Sequence, residues 1–444
     1  MDSKGSIFKK IEGDKVITII VLLLMLISFL AIFSSTPLLP AQESRLKTMM
    51  EHAVIAILGI GLMLWLYRWK TETIKKFSQI GFIVSLGMLL MLVMRINIPG
   101  LIQTQKINSA VRNFSIAGVQ IHVFEVVKVA MILYLAWALN AIKENGGKMR
   151  LLNWFTKLHP KLKCFQKPLG KRLFYVYIPS ILICMLVFIG SGSSAIFICA
   201  ILIVTMVIGG APMRELMLAG AFIAAIFGGM IGIHKISNGK YFQRAGTVIS
   251  RMEADYDENK LVGLNTESAE YDEVSSEILQ PVAAKIAVHE GGWIGKGTGN
   301  STQKYCVTNI YGDYMFSFLV EEYGILGGIV ILILYMSILA RSSIIARMCN
   351  DEFAKYALGG LAILITGQAF MHIMVNVDIG PMTGQTLPLI SHGASAFLVF
   401  CLAFGIILSI SRTAKKKMDI AEEMTRKDMD SVDENIEKAA KSAK

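Results

Sequence analysis

The chain has 444 residues, of which 54% are hydrophobic and only 17% are charged, and its mean hydropathy is +0.55. This composition excludes an ordinary soluble globular protein and predicts many membrane-spanning helices. The formal net charge of +11 is expected to lie in cytoplasmic loops. Because no basic face carries interleaved aromatic residues, nucleic acid is not an expected partner.

Ten apolar segments are long enough to cross a bilayer as helices, which predicts an all-α polytopic membrane protein with about ten transmembrane helices. Residues 103–120, between the third and fourth segments, are expected to be partly re-entrant or interfacial. In chain order, the predicted spans are 16–35, 52–67, 78–95, 121–142, 173–189, 194–210, 215–233, 314–340, 354–377 and 391–411.

The distribution of lysine and arginine predicts the orientation of these helices. Residues 143–172 contain nine lysines and arginines but a single acidic residue, which places this basic loop in the cytoplasm. With an even number of spans, both termini are cytoplasmic, namely residues 1–15 and a charged tail at 412–444. The transmembrane domain then covers 16–411, and its one large extracellular loop, 234–313, comes before the eighth helix.

The end of that loop carries the strongest candidate for chemistry. Asp313 follows the glycine-rich stretch 291–300 and stands at the mouth of an apolar helix, where a carboxylate is costly and is expected to serve function. It could act as a general base, or it could hold a divalent cation such as Mg²⁺ or Mn²⁺ on a pyrophosphate. The alternative is that Asp313 is a helix N-cap, and the sequence leaves both interpretations open.

The glycine-rich stretch 291–300 has two interpretations of its own. Its backbone N–H groups could cradle a phosphate with help from Lys296, although the spacing is not that of a P-loop. A flexible surface loop explains the same glycines more simply.

Three further groups of polar residues interrupt the spans. Glu125 and Lys128 share one face of the fourth helix, so they form either a structural ion pair or part of a cavity beside the aspartate. Glu321 and Glu322 lie about two turns into the eighth helix, and one of them is expected to face inward and meet a partner, with a structural hydrogen bond as the alternative. The Gly/Pro-rich residues 379–390 lead into a broken start of the tenth span, and such backbone at membrane depth predicts a cavity wall.

Taken together, these motifs resemble the SEDS family of polytopic peptidoglycan glycosyltransferases, which includes FtsW, RodA and SpoVE. The likeness extends from the second predicted span to Arg412. The stretches that carry it are 284–301, 312–316, 321–324, 368–370 and 380–391.

The resemblance implies a fold of ten helices, polymerisation of lipid II at the outer face of the bacterial cytoplasmic membrane, and Asp313 as the essential aspartate. It implies that the partners are lipid II, the nascent glycan strand, a class B penicillin-binding transpeptidase, and membrane proteins of the divisome or elongasome. The residues expected to bind lipid II or its pyrophosphate are Arg112, Glu125, Lys128, Lys296, Gly297, Asn300 and Ser391. The residues expected to support the site are Glu321, Glu322, Gln368, Pro381, Gly384 and Pro388.

The sequence departs from the family's motifs at several positions. The Gln-Pro-Ser before the family's glutamate is replaced by residues 122–124, and the Trp after its arginine is replaced by Asn113. Residues 190–194 stand where the family has Pro-Asp-Leu-Gly-Thr, and His392 stands where it has Tyr before a Gly-Gly-Ser motif. These departures change the surroundings of the aspartate and leave the aspartate itself intact.

The overall likeness favours the FtsW branch, and hence septal cell-wall synthesis at the division site. The alternatives are a RodA-like polymerase of cell elongation, a lipid II flippase, and a scaffold that only recruits a transpeptidase. A flippase would need a polar path to the cytoplasmic side, whereas the candidate residues cluster toward the outside.

Overall fold

A computed structural model of the protein describes nine stretches of the chain, and the following account is limited to them. Most of the basic loop 143–172, most of the tail 412–444, and Pro381 lie outside them. The described stretches are residues 12–36, 45–96, 102–107, 110–116, 119–144, 167–237, 269–306, 310–380 and 383–416.

The described stretches fold almost entirely into helices. Within them, nine helices are long and apolar enough to cross a membrane, and the helix Gly192–Ile208 is apolar but shorter, with 17 residues. The predicted polytopic helical fold is therefore confirmed. The helices are α1 (Lys15–Ser35), α2 (Arg45–Tyr67), α3 (Thr71–Val93), α4 (Val123–Lys143), α5 (Pro168–Gly190), α6 (Gly192–Ile208), α7 (Met213–Ile236), α8 (Ala269–Gly291), α9 (Met315–Met348), α10 (Glu352–Asn376) and α11 (Ala394–Lys416).

Residues 103–120, which the sequence predicted to be partly re-entrant or interfacial, contribute to a small antiparallel sheet that the sequence did not predict. Its strands are β1 (Ile102–Ile107), β2 (Ala110–Ile116) and β3 (Val119–His122), in the order β1-β2-β3. Each pair of strands is joined by two residues, a length that favours hairpins. The sheet leads directly into α4, so it caps the end of the bundle at which that helix begins.

The second difference lies in the large loop before the eighth predicted span. Part of this loop forms α8, which ends in the glycine-rich stretch and packs against α9. The many charged residues of α8 make it too polar to be recognised as a spanning helix, and it owes its place to contacts with α9 rather than to burial in lipid.

The centre of the bundle is occupied by α4, in which almost every residue from Val123 to Ala141 is buried. It packs against α3, α6 and α10. In α7, by contrast, only Leu216 and Met230 are buried, and many of its other apolar side chains are exposed. In a multi-pass membrane protein such an outward face contacts lipid.

Ion pairs tie the helices together at one end of the bundle, which we call the basic end. Asp14 accepts a hydrogen bond from the Arg341 Nε at 2.7 Å, which joins α1 to α9, and its own backbone N–H donates to the Ser411 Oγ of α11 at 2.6 Å. Lys143 at the end of α4 pairs with Glu352 at the start of α10, at 3.1 Å. The sheet, α8 and the start of α9 lie at the other end, which we call the site end.

Replacing Asp14 tests what holds the basic end together. The Asp14 carboxylate caps α1 by accepting from the Ile17 N–H at 3.0 Å, in addition to pairing with Arg341. We expect Asp14→Ala to lose both contacts and to destabilise the protein by about 1–2 kcal/mol. Asp14→Asn keeps a capping oxygen and should lose less. The thermal unfolding midpoint in detergent measures both, and equal losses would mean that the ion pair, not the cap, dominates.

Candidate active site

The helix α9 is broken two and a half turns from its start. Gly324 has φ 71° and ψ 179°, a conformation that no helix contains and that glycine adopts readily. In an unbroken helix the N–H groups of Ile325 and Leu326 would bond to the carbonyls of Glu321 and Glu322. The break separates these four groups, which would be costly to leave unpaired.

The glycine-rich loop supplies a partner for each of the four groups. The N–H of Lys296 donates to the Glu321 carbonyl at 2.9 Å, and the N–H of Gly297 donates to the Glu322 carbonyl at 3.0 Å. The N–H of Ile325 donates to the Gly292 carbonyl at 2.8 Å, and that of Leu326 to the carbonyl of the next loop residue at 3.3 Å. The loop is therefore inserted into the broken helix as a wedge of main chain.

At three positions where the two main chains meet, only glycine fits. A Cβ on Gly291 would overlap the backbone oxygen of Val320, and one on Gly295 would overlap that of Glu322. A Cβ on Gly324 would overlap the backbone of the loop. No side chain can move to relieve these overlaps, because the obstructing atoms are backbone.

Two adjacent carboxylates of α9 fasten the loop further. The buried Glu321 side chain accepts from the Lys296 Nζ at 2.7 Å, the Ser301 Oγ at 2.5 Å and the Thr302 N–H at 2.8 Å. Lys296 also pairs with Glu290 at the end of α8. Partial burial of the Lys296 ammonium works against its charged form, but these two carboxylates outweigh that effect and raise its pKa.

The second carboxylate joins the loop to α1. Glu322 accepts from the Ser34 Oγ at 2.6 Å and from the Gly299 N–H at 2.9 Å. Lys304, which is buried, donates to the Ser34 carbonyl at 3.3 Å and to the Gly299 carbonyl at 2.7 Å. Sequence reasoning missed Lys304, because it lies in a polar loop where a lysine is usually exposed.

These contacts change the interpretation of the glycine-rich stretch. The N–H groups of Gly295, Lys296, Gly297 and Gly299 all donate within the protein, as does that of Asn300, which bonds to the Gly297 carbonyl at 3.2 Å. They are thus occupied and do not form an open phosphate cradle, and the loop is not a free surface loop either. A role for Lys296, Gly297 and Asn300 in binding substrate stays a prediction.

Asp313 lies just before α9, but it does not occupy the capping position. The N-cap is Tyr314, and side chains of α10 satisfy the first N–H groups of α9: the His372 Nε2 accepts from Phe316 at 3.3 Å, and the Asn376 Oδ1 accepts from Ser317 at 2.9 Å. The N-cap interpretation of Asp313 is therefore wrong. The half-buried Asp313 side chain lies one residue before that N-cap.

The segment 383–392 lies directly against Asp313. The Ser391 Oγ donates to the Gly312 carbonyl at 2.8 Å, and the His392 N–H donates to the Tyr311 carbonyl at 2.8 Å. Gly384, at φ +60°, is so close that a Cβ built on it would be 3.9 Å from the Asp313 Oδ2. The absence of a side chain at this residue keeps space beside the carboxylate.

Lys128 joins this segment to the centre of the bundle. Its buried ammonium donates to Glu125 Oε1 at 2.7 Å, to Gln368 Oε1 at 2.7 Å and to Gln385 Oε1 at 2.6 Å. An ammonium group has three N–H donors, so all are used. A pyrophosphate oxygen would have to displace one of these acceptors to reach Lys128, and its binding to the substrate stays a prediction.

The chain around Gln385 is held from several sides. Its amide nitrogen donates to the Ser194 Oγ at 3.1 Å, and its carbonyl accepts from the His372 Nδ1 at 2.7 Å. Because the His372 Nε2 accepts from α9, His372 is the neutral tautomer with its proton on Nδ1. Pro388 is fixed as well, since its carbonyl accepts from the Tyr335 hydroxyl at 2.5 Å.

Two threonine hydroxyls near Gly384 lack a hydrogen-bond partner within the described stretches. They are the Oγ1 atoms of Thr383 and Thr386, and both atoms are buried. Buried hydroxyls are normally paired, so their position near Asp313 points to groups that a bound molecule supplies. The sequence signal for them was the break in the tenth span, which predicted a cavity wall without naming these residues.

The structure thus separates the predicted residues into two groups. Around Asp313 it gathers Gly384 and Ser391, with the Lys128 network behind them. Around the break in α9 it gathers Glu321 and Glu322 with the loop residues Lys296, Gly297 and Asn300. Arg112 is the residue that the pairing of β1 with β2 skips, and its side chain and Pro381 lie outside what the structure describes.

Asn113, which replaces the Trp of the family's motif, is also unusual in the structure. Its side chain is buried beneath the sheet, and neither its Oδ1 nor its Nδ2 has a hydrogen-bond partner in the ranges that are described. We have no physical account of this buried amide.

A divalent cation would have one carboxylate to bind here. Among the residues that the structure describes, no three His, Cys, Asp or Glu side chains lie close enough together to hold a metal ion. Asp313 therefore fits only the arrangement in which Mg²⁺ is held by one or two carboxylates and by the phosphates of a substrate.

Comparison with known proteins identifies the family. The model of a family described as cell cycle proteins, which comprises FtsW, RodA and SpoVE, matches residues 14–416. The chain belongs to this family. The match covers every helix described above, including both halves of the site.

Individual relatives are similar over most of the chain. A probable peptidoglycan glycosyltransferase FtsW from Hahella chejuensis is 26% identical over 379 residues, which cover 84% of this chain and 83% of the relative. One from Marinomonas mediterranea is 27% identical over 384 residues, covering 85% and 83%.

Solved structures share the fold at lower identity. A chain from a peptidoglycan synthase complex, studied for the coordination of polymerization and crosslinking, has a TM-score of 0.63 and 18% identity, covering 90% of this chain and 98% of its own. The crystal structure of the rod shape determining protein RodA from Thermus thermophilus has a TM-score of 0.57 and 18% identity, covering 91% and 98%. These likenesses support the RodA-like helical fold.

Two glycines of the loop test the wedge. Gly295 and Gly299 have nearly the same φ, +88° and +86°, but only a Cβ on Gly295 would meet backbone. Replacement by alanine should cost about 1–2 kcal/mol of backbone strain at either position. Gly295→Ala should in addition expel the loop from α9. We expect a clearly lower thermal midpoint and faster proteolysis of the loop for Gly295→Ala, and similar behaviour of the two variants would contradict the wedge.

The Lys128 network can be tested by breaking and then removing the ion pair. Lys128→Met leaves the Glu125 carboxylate buried without its partner and should destabilise the protein by about 3–5 kcal/mol. The double variant Glu125→Gln/Lys128→Met removes the unpaired charge and should recover much of the lost stability. Thermal unfolding in detergent measures both. If the double variant is no more stable than Lys128→Met, the carboxylate is not the source of the loss.

Proposed function

We propose that the protein is a peptidoglycan glycosyltransferase that polymerises lipid II, with Asp313 as its catalytic base. The observation that carries this proposal is the position of Asp313. Its half-buried carboxylate stands at the site end of a membrane helix and lies beside Gly384, where a Cβ would be 3.9 Å from the Asp313 Oδ2. A lipid-borne sugar would meet a carboxylate at this depth.

The reaction requires one proton to be removed and one bond to be broken. Asp313 takes the proton from the 4-hydroxyl of the acceptor sugar while that oxygen attacks the anomeric carbon of the donor. The bond between that carbon and the lipid pyrophosphate breaks, and the pyrophosphate leaves with the electron pair. The hydroxyls of Thr383 and Thr386 are available to hold the sugar in place.

The pyrophosphate that leaves needs positive charge to stabilise it. Lys128 and Lys296 are both engaged with carboxylates, which reduces what they can offer. A divalent cation would supply this charge as a Lewis acid, and Asp313 is the side chain that would hold it together with the pyrophosphate. Arg112 is a further source of positive charge, as the family resemblance implies.

The biological setting follows from the relatives. The similar FtsW proteins favour septal synthesis at the cytoplasmic membrane of a dividing bacterium, together with a class B penicillin-binding transpeptidase. The structural likeness to RodA keeps a role in cell elongation as the second candidate. A fluorescently tagged chain distinguishes the two, because septal rings favour division and dispersed patches favour elongation.

A lipid II flippase has less support. It would need a polar path through the bundle, whereas the basic end is joined by the Asp14–Arg341 and Lys143–Glu352 ion pairs. A liposome assay that found translocation of lipid II without polymerisation would nevertheless favour it.

The decisive experiment replaces the base. We expect Asp313→Asn to abolish lipid II polymerisation by the purified protein with its transpeptidase partner, because the amide cannot accept the proton. Asp378→Asn is the matched control, since Asp378 is also at the site end but pairs with Lys285 at 2.6 Å. It should keep activity. Normal glycan synthesis by a folded Asp313→Asn variant would refute the assignment.

A further inference from the structure

The tip of the glycine-rich loop exposes two large apolar side chains. Trp293 is 68% exposed and Ile294 is 81% exposed. On both sides of them the loop consists of glycine and polar residues. Adjacent apolar side chains that project from a polar loop indicate a binding surface.

The tip cannot fold back onto the protein without breaking the wedge. The carbonyls of Gly292 and Trp293 accept from the N–H groups of Ile325 and Leu326, so the main chain on either side of the tip is bonded to α9. The main chain of the tip is thus fixed against α9, and both side chains project from it into the surroundings.

The tip continues an apolar stripe of α9. Beyond the break, the exposed side chains of α9 recur at helical spacing and form a single face. They are Ile325, Leu326, Ile329, Val330, Ile333 and Met336. In this multi-pass membrane protein such a face is covered by lipid. The two residues at which this face begins, Ile325 and Leu326, are the ones whose N–H groups bond to the tip.

The height of the tip agrees with this position. Residues 325–341 of α9 rise about 24 Å, and the hydrocarbon core of a bilayer is about 30 Å thick. Arg341 is paired with Asp14 at the first turn of α1, which marks the basic end. The tip therefore lies within about one helical turn of the opposite membrane boundary, where tryptophan is enriched.

We propose that Trp293 and Ile294 insert into the lipid headgroup region at the site end and hold the loop at a fixed depth in the bilayer. The partner is the bilayer itself. Recognition depends on depth and not on headgroup charge, because the neighbouring Lys296 is balanced by Glu290 and Glu321. Because the loop is bonded to α9, the insertion of Trp293 and Ile294 also sets the depth of the break in α9 within the bilayer.

Quenching of tryptophan fluorescence by brominated lipids tests this placement. The full-length chain and its Trp293→Phe variant are reconstituted in phosphatidylcholine nanodiscs, and the difference between their emissions isolates Trp293 from the other four tryptophans. We expect bromine near the headgroup to quench this difference at least about twofold more than bromine near the chain end. Adding anionic lipid should leave the result unchanged.

A water-facing control comes from the same loop. Thr298 is exposed and polar, so a tryptophan placed there by Trp293→Phe/Thr298→Trp should be quenched mainly by aqueous iodide. Quenching of the Trp293 difference by iodide alone would place the tip in water, and quenching by neither agent would show that protein covers it. Either outcome overturns the proposal.

A second measurement leaves Trp293 unchanged. A nitroxide attached through Ile294→Cys should be more accessible to oxygen than to a water-soluble nickel complex. The background is Cys164→Ser/Cys306→Ser, because Cys306 is exposed and Cys164 lies outside the described stretches. The reverse preference would contradict insertion.

Discussion

At Gly324 the helix α9 is broken, and hydrogen bonds to the glycine-rich loop replace those of the helix. The rest of the site depends on this replacement. A break in a membrane helix leaves main-chain groups unpaired, and their cost is high where no water can reach them. Here the loop from Gly292 to Gly297 pairs all four groups, and it can approach only because Gly291, Gly295 and Gly324 lack side chains. The first turns of α9 are thereby held apart from the rest of the helix.

The surroundings of Asp313 are held in place by hydrogen bonds of other side chains. His372 and Asn376 accept from the first N–H groups of α9, and the Asp313 carboxylate lies beside Gly384. Gln385 belongs to the segment beside this carboxylate. Its side-chain oxygen accepts from Lys128, and its carbonyl accepts from His372. Several residues that sequence motifs present as binding residues therefore act in this structure as supports for the chain beside the aspartate.

Hydropathy was sufficient to predict the helical spans, because a run of about 20 apolar residues has few alternatives in lipid. It failed where the pattern was short or polar. The strands before α4 are too short for their alternation to stand out, and α8 is too charged to be distinguished from a loop. The N-cap interpretation of Asp313 failed for a different reason: the competing caps come from α10, about 60 residues further along the chain.

The sequence by itself determined the membrane class and the helical fold, since both depend on composition and on the length of apolar runs. It also singled out Asp313, a charged residue in an apolar setting, whose role stays a proposal. Only the tertiary structure decided what the glycines do, why Lys304 is buried, and which acceptors surround Lys128. Those features depend on contacts between segments far apart in the chain. The physical reason is that the partner of a hydrogen-bond donor is defined only once the chain has folded. The wedge is the clearest case, because the sequence does not show which stretch of main chain its glycines will approach.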